Sequence, residues 1–120
     1  MYLSNLGDSQ RIRFDRIGKL ADLENAISNH QRAVELMGEY HPNMPGFLSN
    51  LGSSQRTQFN RLGQLTDLEN SISNQFKAVD LMDNGHPNLP SRLSNLGSSQ
   101  RTRFDRLGEL ADLKNAISNI

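Results

Sequence analysis

Asparagine, serine and arginine recur along this chain as a set with constant internal spacing: Asn5, Ser9 and Arg16, then Asn50, Ser54 and Arg61, then Asn95, Ser99 and Arg106. On a helix at about 100° per residue each set shares one polar face, with Ile12, Thr57 or Thr102 between its members. An amide bonds an extended peptide backbone, and a guanidinium takes a carboxylate or a phosphate. These residues are therefore candidates for holding a peptide or a partner surface. The same pattern also suits a solvated helix face repeated by duplication.

Other chemistries find less support. Ser9, Ser54 and Ser99 have no His and Asp recurring with them, and a nucleophile needs a neighbouring base. The glycines are isolated and form no phosphate-cradling loop. His41 and His86 each open a His-Pro-Asn-x-Pro stretch with no second ligand at usable spacing, which points to a turn and not to a metal. His30 gives way to Gln75 at the corresponding later position, which argues against an essential site there. With no cysteine, neither a disulfide nor a thiolate metal site is possible. The chain reads as non-enzymatic, with no cofactor and no metal expected.

Arginine is unevenly placed. Arg11, Arg13, Arg16, Arg56, Arg61, Arg92, Arg101, Arg103 and Arg106 share the same segments as Asp8, Asp15 and Asp105, a net of +6 in a chain of zero net charge. That asymmetry makes an anion-attracting wall. Equally, arginines late in one helix and Asp22, Glu24, Asp67, Glu69 and Asp112 early in the next complement helix dipoles.

The elements that position these residues come from a repeat. Leu-Ser-Asn-Leu-Gly occurs at 3–7, 48–52 and 93–97, and His-Pro-Asn at 41–43 and 86–88, always 45 residues apart. More than half of the positions of 1–45 are unchanged in 46–90. The chain divides into repeat 1 (1–45), repeat 2 (46–90) and a third unit, 91–120, cut short within its second helix.

Each unit reads as two helices. Helix A of the second unit, from about Leu48 to Arg61, carries Leu48, Leu51, Gly52, Gln55, Phe59 and Leu62 on one face. Pro45 and Pro90 suit its first turn, and Gly18, Gly63 and Gly108 its end. The internal Gly-after-Leu allows a neighbouring helix to approach, and the repeated Gln10, Gln55 and Gln100 need a hydrogen bond, expected from the adjacent repeat. Helix B follows within a few residues. Thr66-Asp67-Leu68-Glu69 has capping-box spacing, and Leu68, Ile72, Phe76 and Val79 form its apolar stripe. Short connections make each pair antiparallel.

Asn-Leu-Gly in helix A, a Gly at the turn, Ala-Ile early in helix B, Ala-Val-x-Leu later and a Pro beyond resemble the tetratricopeptide signature over essentially all of the sequence. Gly7 and Gly18 lie 11 residues apart, wider than in the standard 34-residue repeat, which lengthens helix A by about one turn. Leu-Gly-x-x-x-Arg-x-x-Phe-x-Arg-x-Gly-x-Leu-x-Asp-Leu, with Gly-His-Pro-Asn-x-Pro in the second unit, resembles the extended repeats of large basidiomycete fungal proteins. Those arrays often adjoin a CHAT peptidase-like or NTPase domain, and neither is present here. The resemblance implies an all-α fold, a right-handed superhelical α-solenoid of antiparallel pairs, whose concave wall is helix A, serving as a protein-protein interaction segment of a longer protein.

The alternatives are a purely structural or oligomerisation array without its own ligand, and nucleic-acid binding through the helix A arginines. Zero net charge and few exposed aromatics disfavour the latter. No apolar run approaches a membrane span and no signal peptide is recognisable, so a soluble, intracellular, cytoplasmic location is expected. The third unit lacks the equivalent of Phe76–Met82, and solenoid ends need polar caps. Self-association by end-to-end stacking or exchange of a terminal helix is expected.

Overall fold

The computed structural model describes residues 6, 8–10, 20–38 and 40–118; Leu6 and residues 8–10 are helical. Every regular element among them is a helix: α1 (Leu20–Leu36), α2 (Met44–Leu62), α3 (Leu65–Asp80) and α4 (Leu89–Ser118). Each packs on the next in chain order. No helix among the described residues is long and apolar enough to cross a membrane.

Local sequence sets most of the boundaries. Pro45 and Pro90 stand in the first turns of α2 and α4, where a missing N–H costs nothing. Gly63 ends α2 in the left-handed region, φ 73°, and its N–H donates to the Phe59 carbonyl at 2.7 Å. In both connectors the histidine makes the turn: the Asn43 N–H donates to His41 Nδ1 and the Asn88 N–H to His86 Nδ1, each at 3.0 Å.

Three expectations need correction. Gly108 does not end a helix, because α4 runs through it for 30 residues. Continuing the helix satisfies the backbone around Gly108, whereas the Gly63 turn is held by Phe59 and by Arg106, which donates to the Gly63 carbonyl at 3.2 Å. Gly18 lies outside the described residues. Thr66 forms no capping box: α3 starts at Leu65, with Gln64 at the cap and no side-chain bond there. The buried line of α3 is Leu68, Ser71, Gln75 and Ala78, while Phe76 is exposed and Ile72 and Val79 are half-buried.

The physical reason for that last shift is crowding. Helix α3 is wedged between α2 and α4, so its line of closest approach needs small or flat side chains. α1 uses the same register 45 residues earlier, with Leu23, Ala26, His30 and Ala33 buried. The larger apolar residues pack at the flanks. Met44, Leu48 and Ala78 form the core cluster, covered by Val34 and Met37 from one side and Leu81 from the other. A helix A is thus clasped between successive helices B.

Candidate interaction face between helices A

The polar residues of helix A divide into latches within the chain and groups left at a cleft. Where the first and second units meet, His30 of α1 bridges both neighbours. Its Nε2 lies 2.9 Å from Asp8 Oδ1 and its Nδ1 lies 3.0 Å from the Ser54 hydroxyl. The carboxylate only accepts, so Nε2 carries a proton and donates to Asp8, while Nδ1 and the Ser54 hydroxyl share the second hydrogen bond. Asn50 adds a longer bond to Asp8 Oδ2, 3.4 Å.

A serine, a histidine and an aspartate in line have the composition of a hydrolytic triad, which the sequence did not foreshadow because Asp8 and His30 do not recur. Ser54 and His30 are fully buried, however. A hydroxyl with no accessible surface meets no substrate, so the line acts as a latch between units.

Between the second and third units the chemistry changes. Gln75 stands at the position of His30, and Ser53 at that of Asp8. The Ser71 hydroxyl donates to the Gly52 carbonyl at 2.6 Å, and Gln75 Nε2 turns back to donate to Ser71 Oγ at 3.3 Å. Because the Ser71 proton is already used, the amide orientation is settled, and Gln75 Oε1 is buried without a partner. Gln75 is only 7% exposed. At this junction lies an open cleft of about 310 Å³, lined by Ser53, Arg56, Asn60, Gln75, Asn95 and the Ser98–Ser99 pair.

Arginines tie the units together. Arg56 donates to the Ser99 hydroxyl at 2.7 Å and to Thr102 Oγ1 at 3.0 Å; Arg92 reaches the Pro45 carbonyl at 2.8 Å. With Arg106 on the Gly63 carbonyl, three of the helix A arginines bond across a repeat boundary. A guanidinium with several donors in a fixed fork suits such bridging.

The residues expected to line a groove are therefore dispersed. Asn5 and Arg16 lie outside the described residues. Ser9, Arg61 and Asn95 are exposed, and Asn50 is half-buried. Ser54 and Ser99 are buried, bonded to His30 and Arg56 of neighbouring helices. Arg106 is half-buried on the Gly63 turn. Only Asn95 and Ser99 reach the cleft. Ser53, Ser98, Asn60 and Gln75 were not anticipated, and Arg56 only as one of the helix A arginines. The His30-to-Gln75 and Asp8-to-Ser53 changes were the sequence signals that the two junctions differ.

The repeated glutamines bond within a unit and not across units: Asn29 Nδ2 donates to Gln10 Oε1 and Asn74 Nδ2 to Gln55 Oε1, both at 2.7 Å and 45 residues apart. A larger hollow of about 580 Å³ lies at the connector end, bordered by Phe47, Leu81, Met82, Asp83, His86 and Arg92 among others. It lacks a buried group in need of a partner. Among the described residues no three His, Cys, Asp or Glu side chains cluster as a metal site would require. No family model, no curated protein and no solved structure matches this chain.

Proposed function

We propose that the chain is a protein-protein interaction scaffold of tetratricopeptide-like repeats, a right-handed superhelical stack of antiparallel helix pairs that holds an extended peptide on its helix A face. On this reading it is non-catalytic, needs no cofactor and works inside the cell. The supporting observation is the open cleft between the helices A of the second and third units, lined by the hydroxyls of Ser53 and Ser98, the exposed amides of Asn60 and Asn95 and the Arg56 guanidinium. Amides and hydroxyls both donate to and accept from an extended peptide backbone.

The test uses peptides selected from a random displayed library on the intact chain, with binding followed by fluorescence polarisation. Asn95→Ala removes an exposed amide. Gln75→His places a bulkier ring at the second junction, the side chain found at the corresponding position of the first. Each is expected to weaken the selected peptides about tenfold or more, near 1.4 kcal/mol, with the melting temperature held. Failure to select any peptide, or equal binding to both variants, ends this reading.

A second reading, a structural array without its own ligand, draws support from Arg56, Arg92 and Arg106, which bond across repeat boundaries. Those bonds make Arg106→Ala a poor probe of binding, since it also loosens the Gly63 turn. The same engagement leaves fewer cations for nucleic acid.

A further inference from the structure

The second unit shows what covers a helix A. Gly52 of α2 lies beneath α3, so closely that a Cβ on it would stand 2.9 Å from Gln75 Cγ and 3.2 Å from the Ser71 carbonyl oxygen, and Phe59 two turns on is buried. The third unit carries the same residues at Gly97 and Phe104. Yet a Cβ at Gly97 would meet nothing within 4 Å, and Phe104 is 77% exposed where Phe59 is 8%. The segment that corresponds to the start of α3, residues 110–118, is here the continuation of α4. A straight helix cannot cover its own earlier turns. Leu113, the equivalent of fully buried Leu68, is 58% exposed, next to exposed Leu110 and Ile117. One half of α4 is a seat without a helix, and the other is a helix without a seat.

We propose that residues 110–118 of a second copy of this chain fill that seat, in a two-fold exchange in which each copy lends the far half of α4 to the other. The occupant is identified by the repeat. Residues 110–118 match 20–28 except for Lys114 in place of Glu24, and that stretch buries Leu23 and Ala26 completely in the row. In the exchanged pair, position 116 falls opposite Gly97 as Ser71 falls opposite Gly52. The contact continues the α3-on-α2 interface one unit further, with no new packing geometry. Phe76 on the exposed flank of α3 borders the seat. Counted in both copies, Phe76, Phe104, Leu110, Leu113 and Ile117 come to about the lower end of the 1,200–2,000 Å² that stable pairs bury. The symmetry is closed, because each copy gives and receives the same segment. Gly108 is the hinge: left-handed as at Gly63 it would return the segment onto its own chain, and helical it presents the segment outward.

The experiment is mass by light scattering after size exclusion at several concentrations, on the chain and on two variants, with helix content followed by circular dichroism. The chain is expected to double in mass as concentration rises. Gly97→Leu fills the notch from an open face and is expected to give a monomer of unchanged helix content. Leu110→Pro interrupts α4 just past the hinge and is expected to give a monomer as well, which keeps the test standing if the first variant misfolds. A chain monomeric at every concentration overturns the proposal. So does a dimer that survives both variants, as end-to-end stacking would.

Discussion

The Ser71 hydroxyl donates to the Gly52 carbonyl at 2.6 Å, where α2 and α3 approach so closely that a Cβ on Gly52 would stand 3.2 Å from the Ser71 carbonyl oxygen. Glycine is needed there for space, at a cost of about 1 kcal/mol of helix propensity relative to alanine. Gly52→Ala would press a methyl against Gln75 Cγ and the Ser71 carbonyl oxygen, and is expected to lower stability by about 1–3 kcal/mol. Gly97→Ala, with nothing within 4 Å, is expected to leave the isolated chain as stable or up to about 1 kcal/mol more so. Urea denaturation of the two variants at low protein concentration checks the contrast. Equal losses would mean the two glycines sit in the same environment.

His30 joins Asp8 and Ser54 from a fully buried position. His30→Ala removes the ring, leaves Ser54 without that partner and opens a cavity. It is expected to cost about 2–4 kcal/mol. His30→Gln copies the second junction and is expected to cost less. Chemical denaturation of both variants measures the order, and a harmless His30→Ala would remove the latch from the account of this junction.

Asp67 sits in the first turn of α3, where a helix dipole favours a carboxylate, yet burial raises its pKa above the ordinary value. One carboxylate oxygen, Oδ2, is buried with no partner. The linkage has a definite sign. With the folded pKa above the unfolded one, the unfolded chain ionises first, so Asp67 withdraws stability as pH rises through the carboxylate range and throughout neutral pH. Asp67→Asn is therefore expected to melt above the parent at pH 7, with the gap closing as pH falls below about 3.9. A gap that does not change with pH would place its cause elsewhere.

The all-helical class, the 45-residue period and the places where most elements begin and end were legible in the residues themselves. Local rules suffice for them: Pro45 and Pro90 in first turns, Gly63 past an end, histidine-proline connectors at fixed spacing. The apolar face of α2 was legible too, since Leu48, Leu51, Gly52 and Phe59 differ in kind from their neighbours. Periodicity finds such a face when it is wide and apolar.

Tertiary structure decided what depends on distance between units. A helix wedged between two others buries Ser71, Gln75 and Ala78 and leaves Phe76 out, an inversion that residue type alone does not announce. Ser54 and Ser99 share a helix face with Asn50 and Asn95, but the neighbouring unit turns the serines inward onto His30 and Arg56. Gly63 and Gly108 stand at the same place in the repeat, and one turns while the other continues a helix. A glycine permits both conformations at small cost, so the choice belongs to the contacts around it: the Arg106 bond holds the first turn, whereas Gly108 stands in open space, with nothing within 4 Å of where a Cβ would be.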